Sequence, residues 1–407
     1  MANPLLYSRF QTRVVNIGDL PLGGNYPVRV QSMTNTNTLD TESTVNQIIR
    51  MINAGCEYVR ISTPGLKEAE NLRNIKKELS RRGYKAPLIA DVHFNPKIAE
   101  LAAAIVEKVR INPGNYADRK TGRDEAPRMK GAEYGIREAG CEIQDARYQK
   151  DLEQVAERIR PLIRICKEHG AAIRIGSNHG SLSRRILDRF GDTPEGMVAS
   201  VMEFVHVFEG YGFHDLVLAM KASNPKVMIR ANRLLVETMK KNGMNYPLHL
   251  GVTEAGSGED GRLRSAVGIG SLLADGIGDT IRVSLTENPE FEIPVAYGIL
   301  QAAGARISRT EFISCPSCSR TLFNIQEAVK NIKARAGHLR GMKIAIMGCI
   351  VNGPGEMTDA HYGYIGAGKG KVTLYKGQEP VKKNVDESVA VDELINLIRE
   401  HGDWIDP

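Results

Sequence analysis

The sequence predicts an α/β protein, with a (β/α)8 barrel over residues 1–300 and a small α+β domain over residues 301–407. The first observation is an alternation, before residue 300, of short apolar runs with longer segments of helical spacing. The second is the number of runs, since eight strand–helix units in about 250 residues are typical of a closed barrel. The eight runs are 27–34, 58–63, 87–94, 108–115, 172–178, 215–223, 247–254 and 280–285.

The segments between the runs have the periodicity of helices, with one exception. Apolar residues on one helical face predict a helix in the first connection: Val45, Ile48, Ile49 and Ile52. Residues 116–150 break the rhythm, because 15 of these 35 residues are charged. We interpret this stretch as an exposed insertion between the fourth strand and its helix.

The character of the chain changes near residue 301. Spacings of three, four and three predict a helix that contains Leu322, Ile325, Val329 and Ile332. The segments "GMKIAIMGC" (341–349) and "GKVTLYKG" (370–377) are typical of strands, and "DELINLIREHG" (392–402) of a closing helix. These elements predict the separate α+β domain.

The composition of the 407 residues, 42% hydrophobic and 25% charged, is that of a globular protein. The first residues lack a signal-peptide pattern and no window has the apolar length of a membrane span, so we expect a cytoplasmic protein without a membrane partner. Six cysteines are too few for a disulfide scaffold, which favours reduced thiols. A net charge of +6 favours anionic partners, but 6% aromatic residues and no mixed basic–aromatic run argue against nucleic acid.

Polar side chains gather at the ends of the predicted strands, where the loops of a barrel form its active site. Four runs place an arginine inside an apolar strand: Arg60, Arg110, Arg174 and Arg282. One such arginine is most simply half of an internal ion pair, but four at equivalent places favour bidentate binding of phosphate oxygens. The other strand-end residues in this predicted diphosphate site are Asp91, His93, Asn112, Asn178, His179, Lys221, Asn224, His249, Thr253, Glu254 and Ser284.

Two glycine-rich segments are candidates for further phosphate sites. Residues 265–276 precede the eighth strand, where backbone amides often bind phosphate in barrels. The segment "GYIGAGKGK" (363–371) nearly matches a phosphate loop, but Gly370 replaces the hydroxyl residue and a strand follows. The sequence therefore predicts amide donors in the first segment and no phosphate loop in the second.

Three cysteines of the second domain form a candidate metal or redox site. Cys315 and Cys318 have a C-x2-C spacing that zinc sites, redox disulfides and iron–sulfur centres all use, and Cys349 ends a predicted strand. Zinc would require a fourth ligand such as His361, whereas a 4Fe–4S cluster with three thiolates leaves one iron open. Glu356 follows the turn after Cys349 and is either an oxygen ligand or an exposed acid.

The segments "SCPSCSRT" and "MGCIVNGPGE", behind a barrel that carries "VQSMTNT", "ADVHFNP", "VRINPGN" and "IRIGSNHGSL", resemble those of bacterial 4-hydroxy-3-methylbut-2-enyl diphosphate synthases. The resemblance spans the whole chain. It implies a 4Fe–4S enzyme of the non-mevalonate isoprenoid pathway, which reduces 2-C-methyl-D-erythritol 2,4-cyclodiphosphate by two electrons, opens the ring and eliminates water. It also implies ferredoxin or flavodoxin as the electron donor.

Carried over by motif, the resemblance implies that three irons are held by Cys315, Cys318 and Cys349, with Glu356 as a labile fourth ligand. Asn352, in the same motif, is implied as a substrate contact. The barrel arginines, Lys221 and His249 would bind the cyclic diphosphate, and the acids that manage protons would be among Glu356, Asp91 and Glu254. The second domain is similar to the cluster domain of sulfite and nitrite reductases, and the family pairs as a head-to-tail homodimer.

Two alternatives account for part of the pattern. A zinc-bearing sensor whose barrel binds phosphorylated metabolites would use the thiols without electron transfer. A barrel methyltransferase acting on pterins would use the anion-binding strand ends but leaves the three cysteines without a role. A radical enzyme that uses S-adenosylmethionine is disfavoured, because the C-x3-C-x2-C spacing is absent.

Overall fold

A computed structural model describes residues 8–116, 146–351 and 353–406 of the chain. The chain divides into two compact units, Met1–Arg306 and Ile307–Pro407. Within the predicted insertion at 116–150, residues 117–145 lie outside the described residues. No helix in the described ranges has the length and apolar character needed to cross a membrane.

The first unit is a barrel of parallel strands. The strand order in the sheet is β6-β5-β4-β3-β2-β1-β8-β7, and a bridge from Leu218 to Leu248 joins its two ends. Each of the eight predicted runs contains one strand, so the (β/α)8 prediction is confirmed. The strands are β1 Arg29–Met33, β2 Tyr58–Ser62, β3 Leu88–Asp91, β4 Lys108–Ile111, β5 Ala172–Asn178, β6 Leu216–Lys221, β7 His249–Leu250 and β8 Thr280–Ile281.

Helices cover the outside of this barrel. They are α1 Thr41–Asn53, α2 Leu66–Arg81, α3 Pro96–Ala103, α4 Pro113–Tyr116, α5 Ala146–His169, α6 Arg184–Phe190, α7 Pro194–Gly210, α8 Pro225–Lys241, α9 Gly258–Ala274 and α10 Glu292–Ala302, with a 3-10 turn at Pro289–Phe291. Helix α1 forms where the apolar periodicity predicted a helix. Asp40 caps it by accepting a hydrogen bond from the Ser43 N–H at 3.0 Å, and Val45 and Ile48 on its predicted apolar face are fully buried.

Apart from Lys108, the first residue of β4, the barrel interior is lined by apolar residues at the amino-terminal end of the strands. Tyr58, Ile89, Ala172 and Val217 form a cluster with the apolar residues of a short hairpin at 15–22. Burying one Val, Ile or Leu side chain is worth about 1.5–3 kcal/mol. This apolar cluster therefore closes the amino-terminal end of the barrel. Its burial offsets part of the free-energy cost of burying charged side chains elsewhere in the barrel interior.

The second unit is a five-stranded sheet with helices. Its elements are β9 Glu311–Ser314, α11 Ile325–Ala336, β10 Lys343–Met347, α12 Gly353–Glu356, β11 Tyr362–Gly368, β12 Lys371–Lys376, β13 Glu379–Asp386 and α13 Glu387–Glu400. The strand order is β13-β12-β11-β10-β9, with β9, β10 and β11 parallel and the others antiparallel. Both predicted strands and the closing helix are present.

One predicted element of this unit starts later than its periodicity suggested. Leu322 precedes helix α11, which begins at Ile325. The reason is local, because the side chain of Asn324 accepts a hydrogen bond from the Glu327 N–H at 3.2 Å and caps the helix. The segment that nearly matches a phosphate loop, residues 363–371, forms most of β11 and the turn into β12, in agreement with the prediction that it is not a phosphate loop.

Candidate active site

Basic side chains extend into the barrel interior, most of them from the carboxyl-terminal part of the strands. Alternate residues of each strand face inward. Carboxylates pair with three of the cations: Asp91 with Arg60 and Arg110, and Glu292 with Arg282. Six basic and two acidic side chains leave a formal excess of four basic groups among these residues. The six cations are Arg60, Lys108, Arg110, Arg174, Lys221 and Arg282, all buried or nearly so.

Asp91, at the end of β3, is the centre of one ion-pair cluster. Its carboxylate lies 3.6 Å from Arg60 Nη2, 3.3 Å from Arg110 Nη1 and 3.4 Å from His93 Nε2. Burial alone would raise the pKa of Asp91, but the charges of Arg60 and Arg110 hold it well below its usual range. Asp91 is therefore a carboxylate at neutral pH, and it orients two arginines.

Three buried cations have no carboxylate within ion-pair distance among the described residues: Lys108, Arg174 and Lys221. Burial, reinforced by neighbouring cations, lowers the pKa of each one well below its ordinary value. The ammonium of Lys108 lies 4.8 Å from the centre of the Tyr58 ring, which gives it only a cation–π contact. An anion bound here would supply the missing charge.

The same region contains buried polar atoms without hydrogen-bond partners in the described part of the chain. Both ring nitrogens of His249 and both amide atoms of Gln31 are among them, with Lys108 Nζ and with Nε and Nη1 of Arg174. Burial and the charges of Arg174, Lys221 and Lys108 lower the pKa of His249 well below 6.5, so its imidazole is neutral. Such groups are costly unless a ligand or water binds them.

Three predicted ligands have structural contacts of their own. Asn112 is buried, donates to Ser181 Oγ at 3.1 Å and accepts from the Gly114 N–H at 3.1 Å, which ties two loops together. The exposed Asn224 caps α8, and His179 Nε2 lies 3.2 Å from the Asp192 carbonyl oxygen. Asn178 and Ser284 are half-buried at the ends of their strands. The binding roles of these five residues stay predictions.

The glycine-rich segment 265–276 does not form the predicted amide site. Residues 265–274 belong to helix α9, whose N–H groups bond to carbonyls within the helix. The prediction of free backbone donors there is wrong, because the segment's glycines permit close packing instead. A Cβ at Gly268 would lie 2.5 Å from Val252 Cγ2.

Glu254 follows β7 and has an exposed side chain. Its φ of 54° places a residue other than glycine in the left-handed region. Such backbone strain costs about 1 kcal/mol or more and concentrates at functional sites. The geometry thus singles out Glu254 among the carboxylates of the barrel loops.

The three cysteines of the second unit follow the carboxyl ends of two adjacent parallel strands. Ser314 pairs with Ile346, so Cys315 and Cys349 leave β9 and β10 at the same edge of the sheet. Cys315 Sγ accepts from the Gly348 N–H at 3.2 Å. The Cys318 N–H bonds Thr321 Oγ1 at 3.1 Å, and a Cβ at Gly348 would lie 2.7 Å from that oxygen.

The chemistry of this edge suits thiolate ligands. The backbone N–H and then the guanidinium of Arg320 lower the pKa of Cys318, and the same guanidinium lies beside Cys349. Cys318 is exposed, whereas Cys315 and Cys349 are half-buried. In the described part of the chain, no group of three His, Cys, Asp or Glu side chains is arranged to hold a metal ion. Three cysteines on one sheet edge, with an arginine beside two of them, nevertheless fit the donor set of an iron–sulfur cluster.

The predicted fourth ligand and the remaining cysteines are placed as follows. Glu356 is the last residue of α12 and is exposed. Asn352 and Cys141 lie outside the described residues. Burial raises the pKa of the thiols of Cys56 and Cys166 to about 12, as is typical of inert core cysteines.

Sequence reasoning missed two charged residues of the barrel site. Lys108 opens the fourth run, two residues before Arg110, and strand alternation was a usable signal for it. Glu292 belongs to α10, after the last strand, and no local pattern marks it.

Fold and sites together define a protein with a cationic TIM barrel and a smaller unit that presents three thiols at a sheet edge. The chain belongs to the GcpE family. The model of the GcpE TIM-barrel domain matches residues 12–297, and that of the GcpE protein C-terminal domain matches residues 311–400.

Relatives match over nearly the whole chain. A 4-hydroxy-3-methylbut-2-en-1-yl diphosphate synthase (ferredoxin) of Synechococcus sp. (strain CC9902) is 50% identical and covers 97% of this chain and 95% of its own. The protein of that name in Gloeothece citriformis is 50% identical, over 98% of this chain and 95% of its own. A flavodoxin-named synthase of Parabacteroides distasonis is 37% identical and covers 98% of this chain and 99% of its own.

Proposed function

We propose that this chain is a 4-hydroxy-3-methylbut-2-enyl diphosphate synthase. It takes up two electrons, breaks one ring C–O bond of 2-C-methyl-D-erythritol 2,4-cyclodiphosphate and releases water. The observation that carries the proposal is the set of six buried or nearly buried basic side chains, against two carboxylates, inside the barrel of a GcpE-family chain. A cyclic diphosphate carries two negative charges and several phosphate oxygens, which can accept hydrogen bonds from these basic side chains.

The barrel residues bind and orient the substrate. Guanidinium groups of the inward arginines donate to phosphate oxygens, and the unpartnered donors on Lys108 and Arg174 gain acceptors. Neutral His249 donates one ring N–H without adding charge. Because these groups are fixed before binding, little reorganisation is required in the transition state.

Cys315, Cys318 and Cys349 are the residues that would hold a 4Fe–4S cluster, with Glu356 as the fourth ligand. When bound, such a cluster supplies single electrons and an iron that acts as a Lewis acid. The Arg320 backbone N–H and guanidinium lower the pKa of Cys318, which favours the thiolate form that binds metal. Asn352 remains a proposed substrate contact.

The barrel acids take different roles in this proposal. Asp91 has a depressed pKa and two arginine partners, which suit it to holding charge in place rather than donating a proton. Glu254, exposed at a strained position after β7, is the acid that we propose to move a proton within the barrel. Glu356 can do the same in the second unit.

Partners and location complete the proposal. The ferredoxin and flavodoxin in the names of the relatives support one of these proteins as the electron donor. We also propose a cytoplasmic enzyme that pairs as a head-to-tail homodimer.

The test is an anaerobic purification with iron, sulfide and zinc analysis, followed by a cyclodiphosphate assay with dithionite-reduced donor. We expect about four irons per chain, a brown colour that bleaches on reduction, and turnover. Cys349→Ser should lose both iron and turnover, whereas Cys166→Ser, at a buried core thiol, should keep both. Zinc without colour or turnover would leave a metabolite-binding sensor in place of the enzyme.

A further inference from the structure

Met33, the last residue of β1, lies between two arginines of the barrel. Arg60 Nε donates to Met33 Sδ at 3.0 Å, and Arg282 Nη1 donates to the same sulfur at 3.4 Å. On its other side each arginine faces a carboxylate: Arg60 Nη2 lies 3.6 Å from Asp91, and Arg282 Nε lies 3.5 Å from Glu292. The five side chains form a continuous array from β3 to the start of α10.

Backbone and side-chain contacts hold this array in place. Met33 pairs directly with Arg60 in the register of β1 and β2. Glu292 accepts from Ser32 Oγ at 2.6 Å and from the Leu285 N–H at 3.0 Å. The arginine side chains are only 11% and 14% exposed. Their orientation is therefore set before a ligand arrives.

The array borders an open space of a size suited to a small substrate. A cleft of ≈ 750 Å³ is lined by Met33, Arg282 and Glu292, together with residues of the loop after β8. Met33 therefore lies between Arg282, which lines this cleft, and Arg60, which lies behind it in the barrel interior.

We propose that Met33 is a positioning residue for binding of the diphosphate, an inference that rests on the proposed function. Its thioether accepts one N–H from each guanidinium but carries no charge. A carboxylate at this place would neutralise the arginines, and an aliphatic side chain would leave both donors unpaired. A neutral acceptor holds the two guanidinium groups side by side without neutralising them. Each guanidinium then keeps further N–H donors that can bind the same phosphate group.

The test replaces Met33 in the full-length chain and measures binding of inorganic pyrophosphate by calorimetry, which requires neither cluster nor electrons. Met33→Leu keeps the volume but removes the acceptor, and we expect the Kd to rise about tenfold. Met33→Gln restores a neutral acceptor and should lie closer to the parent protein. Met33→Glu should abolish binding. Met220→Leu, in β6 and facing the helices, is the matched control and should change nothing.

Two further readouts separate positioning from general stability. With anaerobically purified enzyme, Met33→Leu should raise the KM for the cyclodiphosphate about tenfold and leave kcat within about twofold. In spectra of methyl-labelled methionine, the Met33 signal should shift on addition of pyrophosphate, and the Met220 signal should not.

The outcomes distinguish the two proposals. If the parent protein binds pyrophosphate and turns over the cyclodiphosphate while Met33→Leu and Met33→Glu match it, Met33 has no positioning role. If the parent protein neither binds pyrophosphate nor turns over the cyclodiphosphate, the proposed function is wrong, and this inference is then wrong as well. If the Met33 methyl signal of the parent protein does not shift on addition of pyrophosphate, the inference is also wrong. This measurement does not depend on whether a variant folds.

Discussion

Burial and like charge act in the same direction on the inner cations of the barrel. Lys108 is fully buried, and the charges of Arg174 and Arg60 act on it together with that burial to lower its pKa. Removing an ion from water and placing it beside another of the same sign both favour the neutral amine. The buried basic groups therefore destabilise the folded barrel, and a bound anion would reduce this electrostatic cost.

This energy predicts a pH dependence of stability. The pKa of Lys108 is depressed in the folded chain and near 10.4 when unfolded, so between these values the unfolded state binds more protons. Stability must then rise with pH in this window, by at most about 1.4 kcal/mol per pH unit for one group. Lys108→Met should raise the melting temperature at pH 7 and flatten its increase from pH 7 to pH 9, measured by calorimetry.

The exposed Lys85 provides the control for this prediction. Lys85→Met should keep the full increase of the melting temperature with pH. An equal slope in Lys108→Met and the parent protein would show that the buried amine is not the source.

Glu254 combines a chemical role with backbone strain, and the two are separable by substitution. Glycine adopts a φ of 54° without a steric penalty, so Glu254→Gly should stabilise the barrel by about 0.5–1 kcal/mol. Because Glu254 is the proposed acid, loss of its carboxyl group should lower kcat about 100-fold or more. Calorimetry and the cyclodiphosphate assay measure the two effects.

Two variants test that separation. Glu254→Gln should lose activity without gaining stability, because the strained backbone remains. Asn384→Gly, at a φ of 57° in the second unit, should not change turnover. Full activity in Glu254→Gln would remove the proposed proton transfer.

At the scale of single residues, the sequence predicted charges but not their partners. Arg60, Arg110, Arg174 and Arg282 stood out because each interrupts an apolar run. The partner Glu292 comes from a helix that only the closed barrel brings to Arg282. Hydropathy cannot distinguish a methionine that packs from one, such as Met33, that accepts hydrogen bonds.

At the scale of elements, strand β5 is shaped around a neighbouring side chain. Arg110 Nη2 donates to the Gly176 carbonyl at 3.1 Å, and a Cβ at Gly176 would lie 2.9 Å from Arg110 Nε. A glycine within a strand often marks such a close approach. Here it makes room for a guanidinium inside the barrel.

Gly176→Ala should therefore displace Arg110 from its place beside Asp91. We expect about a tenfold weaker affinity for inorganic pyrophosphate, measured by calorimetry, because a charged hydrogen bond to the ligand is lost. Gly210→Ala, at the end of α7 with no atom within 4 Å of the new Cβ, should bind as the parent protein does. Unchanged affinity in Gly176→Ala would mean that Arg110 does not bind the anion.

Element prediction succeeded where burial imposed a pattern. All eight barrel strands lie in apolar runs, since a parallel sheet under helices is buried on both faces. In the second unit, β13 is largely exposed and its sequence is typical of a charged loop, whereas β11 is rich in glycine. Neither carries the alternation or apolar run by which strands are recognised.

At the scale of the whole molecule, each of the two units has a hydrophobic core of its own. One hydrophobic cluster joins the barrel strands to their helices, and another lies between the second sheet and helices α11 and α13. A unit with its own core unfolds as its own cooperative transition. A ligand that binds only one folded unit stabilises only that transition.

Calorimetry of the full-length holoprotein should therefore resolve two transitions that respond to different ligands. Pyrophosphate at about 100 times its Kd should stabilise the barrel transition by about 2.7 kcal/mol and leave the other in place. Loss of iron, by Cys349→Ser, should lower only the transition of the second unit, whose sheet edge carries the thiols. A single transition that moves under both treatments would show that the units unfold together, and the free energy of anion binding would then also stabilise the edge that holds the cysteines.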